Sequence, residues 1–162
     1  MLYFKAALEY VKHEVWKSDG TDTGTVKVDF IIGSNLTAAN DVLYFFQSDS
    51  VWKSDGTEAG TTPIGTFGYN DVKISNNTAV GSSIYFVITL GKGEASRKEL
   101  WMSDGTSLVK NIYSVPKSST IFIHGELEGK ALFSVDDGEK SSLLITDGTK
   151  TGTKVVKELY KF

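Results

Sequence analysis

The chain has 162 residues, which is enough for one domain with a buried core. Hydrophobic residues make up 40% and charged residues 23%, a balance typical of globular proteins and unlike that of disordered chains. A net charge of -3 provides no concentrated basic surface, so nucleic acid is not an expected partner. Cysteine is absent, which excludes disulfides and thiolate metal sites.

The N-terminal residues predict a strand. Leu2-Tyr3-Phe4 is short, apolar and aromatic, and no basic leader or small-residue cleavage site accompanies it, so we expect no signal peptide in this chain. No apolar run is long enough to cross a bilayer, so no membrane span is expected.

A second strand follows and runs into a turn. Val15-Trp16-Lys17-Ser18 precedes Asp19 and Gly20, a pair that strongly predicts a tight turn. Asp can accept a hydrogen bond from the backbone two residues further on, and Gly can adopt a positive φ. Residues 25–30 then alternate between apolar and polar, as in a third strand with one exposed face.

The same order of segments recurs three times, each time preceded by one additional short strand. VWKSDGTDTGT at 15–25 returns as VWKSDGTEAGT at 51–61, as LWMSDGT at 100–106 and as LLITDGTKTGT at 143–153, a period of about forty residues. The repeated residues are Trp16, Asp19, Gly20, Trp52, Asp55, Gly56, Trp101, Asp104, Gly105, Asp147 and Gly148.

Four-stranded antiparallel units repeated at this spacing without helices are typical of β-propeller blades. The sequence therefore predicts an all-β fold of fifteen strands in a single domain, with four blades of which the first lacks its inner strand. The approximate repeats are 1–32, 33–69, 70–114 and 115–162. Lys27 and Pro63 fall on predicted outermost strands, where charge and proline are tolerated because one edge is unpaired.

The missing inner strand leaves two ways to complete the ring. Four units can close on themselves as a monomer, which is the favoured expectation. Alternatively, an open half-ring can cover its end blades in a homodimer that completes a larger, eight-bladed ring, as two-fold symmetry permits.

The repeated phrase resembles the ELWxSDGTxxGTxLVKDI repeat of large bacterial surface and secreted proteins, which usually has LYF upstream. Residues 99–106 match its first half and residues 153–159 its second. The resemblance implies propeller blades and an extracellular or cell-surface location, and it specifies no activity. The chain departs from the pattern at Leu144, which replaces Trp, after Thr106, where xxGT is missing, and at residues 62–65.

We expect the repeated residues to have structural roles. The four turn aspartates could be calcium ligands, but each copy offers one carboxylate without an acidic ladder, which favours turn stabilisation over a metal site. The three tryptophans could stack on sugars, but their recurrence at one strand position favours packing between neighbouring blades.

A binding site is expected where the copies differ. In a propeller, the loops between the second and third strands of each blade share one face with the connections between blades. This loop face is predicted to include His13, Tyr69, Asn70, Lys92, Arg97, Lys98 and Asp137. The alternative interpretation of residues 91–98 is a solvated hairpin tip.

The predicted function is a non-enzymatic recognition or scaffold module that binds a glycan or a protein through the loop face. No catalytic residues, metal site or cofactor are indicated, because His13 and His124 lack metal-ligand spacing and residues 91–93 do not form a phosphate loop. One alternative is a glycoside-cleaving enzyme, which needs two carboxylates about 5–10 Å apart. The other is a structural fragment of a longer repeat array without its own activity.

Overall fold

The all-β prediction is confirmed by a computed structural model of the chain. The structure describes residues 1–9, 12–28, 33–69, 72–93, 96–116 and 118–160. In this part of the chain, fifteen strands form four antiparallel sheets, the first with three strands and the others with four. In every sheet, strands that are consecutive in the chain are hydrogen-bonded neighbours.

Each sheet is a meander whose last strand lies at the outer edge. The first sheet contains β1 (Leu2–Glu9), β2 (Lys12–Ser18) and β3 (Val26–Val28). The second contains β4 (Ser34–Ala39), β5 (Val42–Gln47), β6 (Ser50–Ser54) and β7 (Thr62–Thr66). The third contains β8 (Lys73–Val80), β9 (Ser83–Leu90), β10 (Arg97–Ser103) and β11 (Leu108–Pro116). The fourth contains β12 (Thr120–Leu127), β13 (Lys130–Asp136), β14 (Lys140–Thr146) and β15 (Lys154–Tyr160).

Each sheet has two faces that differ in composition, because successive side chains of a strand point to opposite sides. We call the face that contacts the next sheet along the chain the forward face, and the opposite one the backward face. The forward faces carry the cross-strand pairs Tyr3 with Lys17, Tyr44 with Lys53, Tyr85 with Met102 and Leu132 with Ile145. The backward faces carry Phe4 with Trp16, Phe45 with Trp52, Phe86 with Trp101 and Phe133 with Leu144.

The core lies between consecutive sheets. One apolar cluster joins Val15 of the first sheet to Phe45 of the second. A larger one joins Phe46 of the second sheet to Phe86 of the third, with the two rings edge to face at 4.9 Å between centroids. The remaining cluster joins the third sheet to Phe133 of the fourth. Burial of these aromatic and branched side chains is the main force that stacks the sheets.

The inner strands lie side by side in chain order. β4 contacts β8 and β8 contacts β12, and β1, which corresponds to β5 of the second sheet, contacts β4. Because each four-stranded meander starts at this inner position, its later strands extend outward and its connections fall at two opposite ends of the stack. One end carries the SDGT turns, and the other carries the loop face.

The edge-strand expectations agree with the strand order. Pro63 lies in β7 at the outer edge of the second sheet, opposite Trp52, where the register shifts. Lys27 lies in the edge strand β3, and its Nζ is 2.7 Å from Oε1 of Glu14. An unpaired edge thus carries a charge or a residue without an N–H, and both discourage addition of another strand.

Candidate functional site

The SDGT turns are held by a repeated set of side-chain hydrogen bonds. In the second copy, Oδ1 of Asp55 accepts from the backbone N of Thr57 at 2.8 Å and from its hydroxyl at 2.7 Å. The backbone N of Gly56 donates to Oγ of Ser54 at 3.0 Å, and Gly56 has a positive φ of 87°. The turns at Asp19, Asp104 and Asp147 make the same bonds.

The second half of the phrase, xxGT, adds further hydrogen bonds that stabilise the turn. The hydroxyls of Ser54 and Thr61 are 2.7 Å apart, and the backbone N of Gly60 donates to Oγ1 of Thr57 at 3.0 Å. A Cβ on Gly60 would overlap the carboxylate of Asp55, so only glycine fits there. The third copy lacks this half, and its Asp104 accepts instead from the backbone N of Ser107 at 3.0 Å.

These hydrogen bonds act on the ionised form of each aspartate. The bonds from Thr106 and Ser107 lower the pKa of Asp104 to about 2. The corresponding bonds from Thr57 lower the pKa of Asp55. Because hydrogen bonds to a carboxylate favour its charged form, the aspartates stabilise their turns as anions.

The turns of the second, third and fourth copies also contact the preceding sheet. Nζ of Lys17 donates to the carbonyl of Gly56 at 2.8 Å, and Nζ of Lys53 donates to the carbonyl of Gly105 at 2.8 Å. The tyrosine paired with each lysine also lies against the turn. Oη of Tyr3 is so close to Gly56 that a Cβ built on this glycine would be 2.7 Å from it. The repeated turns therefore connect sheets as well as strands.

The tryptophans occupy the backward faces. Trp101 is fully buried in the cluster shared by the second and third sheets, edge to face with Phe67 at 5.1 Å between centroids. Trp52 stacks on Phe45 at 6.1 Å between centroids and packs against the cluster shared with the first sheet. Trp16, on the first sheet, is half-buried.

At the opposite end, the loop face carries a charged and aromatic cluster. Nε of Arg97 donates to Oε1 of Glu99 at 2.6 Å, and Nε1 of Trp101 donates to Oε2 of the same carboxylate at 2.8 Å. Glu99 is buried, with 2% of its side chain exposed, whereas 43% of the Arg97 side chain is exposed. The guanidinium carbon of Arg97 lies 5.8 Å from the centroid of the Tyr69 ring, within cation–π range.

The burial of the Glu99 carboxylate explains why Arg97 and Trp101 lie beside it. An ionised group that leaves water needs a charged partner and hydrogen bonds to both oxygens. Arg97, Glu99 and Trp101 alternate along β10, so all three lie on its backward face. The bond to Glu99 in turn raises the pKa of Arg97, whose guanidinium is held above Tyr69.

Two further contacts hold the segments that flank this cluster. Nζ of Lys98 donates to the carbonyl of Ser119 at 2.6 Å, in the connection between the third and fourth sheets. The backbone N of Phe67 donates to the carbonyl of Asp49 at 2.8 Å, which fixes the segment leading to Tyr69. We call Tyr69, Arg97 and Glu99 the platform; Lys98 lies on the opposite face of β10.

Lys92 and Asp137 lie in hairpin connections of the loop face. Lys92 is exposed in the β9–β10 connection. Asp137 caps its own hairpin, where Oδ1 accepts from the backbone N atoms of Glu139 and Lys140. Asn70 and the side chain of His13 lie outside the described residues.

Sequence reasoning missed Glu99 as the centre of the platform. It read Glu99-Leu100-Trp101 as part of the repeat and therefore as structural. The available signal was the alternation of a cation, a carboxylate and an indole N–H at residues 97, 99 and 101, which strand geometry places on one face.

Comparison of the chain with models of known protein families and with curated proteins found no match. In the described part of the chain, no helix has the length and apolarity that crossing a bilayer requires.

The folded state should lose stability in acid through the turn aspartates. The pKa of Asp104 is about 2 in the folded protein, below its ordinary value of 3.8. Its contribution is therefore complete above about pH 4 and is lost as the pH falls towards 2. Urea unfolding of Asp104→Asn should show a smaller decrease in the free energy of unfolding between pH 4 and pH 2 than the unsubstituted protein.

Val26→Ala is the control, because Val26 is exposed beside the first turn and carries no titratable group. It should keep the acid dependence of the unsubstituted chain. Equal acid dependence of Asp104→Asn and the unsubstituted chain would contradict the role of this carboxylate.

Gly60→Ala should destabilise the protein by about 1–3 kcal/mol, because the new methyl group displaces the Asp55 carboxylate and breaks its hydrogen bonds. Gly60 has no positive φ, so backbone strain is not the cause. In an Asp55→Ala background the same substitution should cost clearly less. Urea unfolding of the four proteins measures this coupling, and strictly additive losses would show that the carboxylate is not the obstacle.

Proposed function

We propose that this chain is a β-propeller-type recognition module that binds a glycan or a protein through the platform at its loop face, without catalysing a reaction. The blade arrangement is supported by four meanders that stack in chain order through their faces, with inner strands side by side. Together with the resemblance of the repeats, this arrangement supports an extracellular or cell-surface role.

The observation that carries the proposal is the fixed position of Arg97 beside an exposed aromatic ring. Tyr69 is 44% exposed, and the guanidinium carbon of Arg97 lies 5.8 Å from the centroid of its ring. A flat ring with an adjacent guanidinium suits a ligand with an apolar face and an acidic or carbonyl group, as in many glycans and protein side chains.

The buried carboxylate makes this platform rigid. Nε of Arg97 is engaged by Glu99, and the guanidinium also contacts Tyr69, so two side chains orient its planar donors. Because the orientation exists before a ligand arrives, binding loses less side-chain entropy than it would with a mobile arginine.

Binding rather than catalysis is favoured by the state of Glu99. Both of its oxygens accept hydrogen bonds, from Arg97 and from Trp101. A carboxylate held this way positions a neighbour and is poorly suited to transfer a proton to a glycosidic oxygen.

The test is a screen of immobilised glycans, including sulfated and uronic acid-containing ones, followed by calorimetric titration of the strongest hit. Tyr69→Ala should weaken that binding roughly fivefold or more, since one stacked ring contributes about 1–3 kcal/mol. Val26→Ala, at an exposed apolar position beside the first SDGT turn, should leave it unchanged. The same design applies to a protein ligand recovered by affinity capture.

Two results would contradict the proposal. One is binding that Tyr69→Ala leaves intact, which would move the site away from the platform. The other is absence of binding to both glycans and proteins, which would favour a structural segment of a longer array.

A further inference from the structure

The first and last sheets each leave one face exposed. In the other sheets, the equivalent face is buried against a neighbouring sheet. We propose that the forward face of the fourth sheet binds the backward face of the first sheet of a second copy of this chain. Because the second copy offers the same two faces, two chains then close into one ring of eight sheets. This proposal does not depend on the function of the platform.

The backward face of the first sheet is uncovered at the positions that are most buried elsewhere. Leu2 is 65% exposed, whereas the corresponding Leu43, Ile84 and Ala131 are each 0% exposed. This face therefore has the composition of an interior contact and lacks its neighbour.

The first SDGT turn shows the same difference. Gly56, Gly105 and Gly148 are buried, and each is covered by a tyrosine of the preceding sheet: Tyr3, Tyr44 and Tyr85 respectively. Gly20 is exposed, and among the described residues none except its chain neighbours comes within 4 Å of the position its Cβ would have. The first turn thus has the geometry of a covered turn without a sheet in front of it.

The forward face of the fourth sheet is uncovered in the complementary way. In the third sheet, Tyr85 and Leu100 of the forward face are buried against the fourth. Their counterparts in the fourth sheet, Leu132 and Leu143, are only partly buried, and Phe122 beside them is 53% exposed. A forward face that ends the series thus exposes an apolar surface.

A cross-strand pair of the forward face can cover an SDGT turn without a lysine. Between the third and fourth sheets, Cε of Met102 lies against Gly148 together with Oη of Tyr85. Leu132 and Ile145 occupy the corresponding positions of the fourth sheet. They can therefore cover Gly20 of a second copy as Met102 covers Gly148, without the lysine that reaches Gly56 and Gly105.

A second copy is the occupant that these observations favour. Within the chain, each buried forward face packs against the backward face of a sheet that carries an SDGT turn. The backward face of the first sheet is of this kind and is uncovered among the described residues. Head-to-tail docking of two chains forms two identical contacts related by a two-fold axis, so both apolar ends are buried in one closed assembly.

Light scattering of the intact chain over a hundredfold concentration range tests this proposal. We expect a mass of twice 17.7 kDa. Leu2→Asp and Leu143→Asp should each give 17.7 kDa, because each places a charge in both contacts. Val155→Asp is the matched control, because Val155 is as exposed as Phe122, at 53%. It lies on the outer strand opposite Leu144, and therefore on the backward face of the fourth sheet, which is not part of the proposed contact. The dimer should persist in this variant.

Mixing the two variants separates head-to-tail docking from other dimers. Leu2→Asp keeps an intact forward face and Leu143→Asp keeps an intact backward face, so an equimolar mixture should regain one contact and a 1:1 complex. Circular dichroism checks that both variants are folded, as expected for residues that are exposed or partly exposed. A monomeric unsubstituted chain, a mass that grows continuously with concentration, or a dimer that survives both substitutions would each overturn the proposal.

Discussion

The hydrogen bonds of the aspartate in each SDGT turn are the interaction on which the rest of the structure depends. In the second copy, Asp55 fixes Thr57 and thereby the left-handed conformation of Gly56, whose carbonyl then faces Lys17 of the preceding sheet. The turn is thus both the end of a hairpin and the point at which one sheet is positioned on another. Repetition of the phrase is explained by this double role, because every sheet that follows another needs the same connection.

Apolar burial supplies most of the stabilisation, and the turns determine how the sheets are aligned. The aromatic clusters between sheets are non-directional and would tolerate small displacements. The bonds from Lys17 to Gly56 and from Lys53 to Gly105 act between defined atoms and fix the stagger of consecutive sheets. That stagger also brings Tyr69, which follows the second sheet, beside Arg97 of the third, so the platform at the loop face depends on the turns at the opposite end.

The strands and turns could be predicted because they depend on local chemistry. Alternation, β-branched residues and the Asp-Gly pairs specify the fifteen described strands and the turns between them, and Pro63 marks an outer edge. The contacts of Lys17 and Glu99 could not be predicted, because they depend on how strands and sheets are staggered, which a repeat period does not specify. The sequence left open whether the end blades are covered, so it did not specify that Gly20 is exposed while Gly56 is buried.

The most direct test of this account is the titration of the tyrosines by NMR in the Asp104→Asn variant. Burial, followed by the charge of Asp104 in the next sheet, raises the pKa of Tyr44. The substitution should therefore lower the pKa of Tyr44 towards its ordinary value and leave it somewhat raised by burial. The pKa values of Tyr3 and Tyr85, which lie near Asp55 and Asp147, should not change. An unchanged pKa of Tyr44, or a shift at Tyr3 or Tyr85 instead, would contradict the sheet-to-turn alignment on which the account depends.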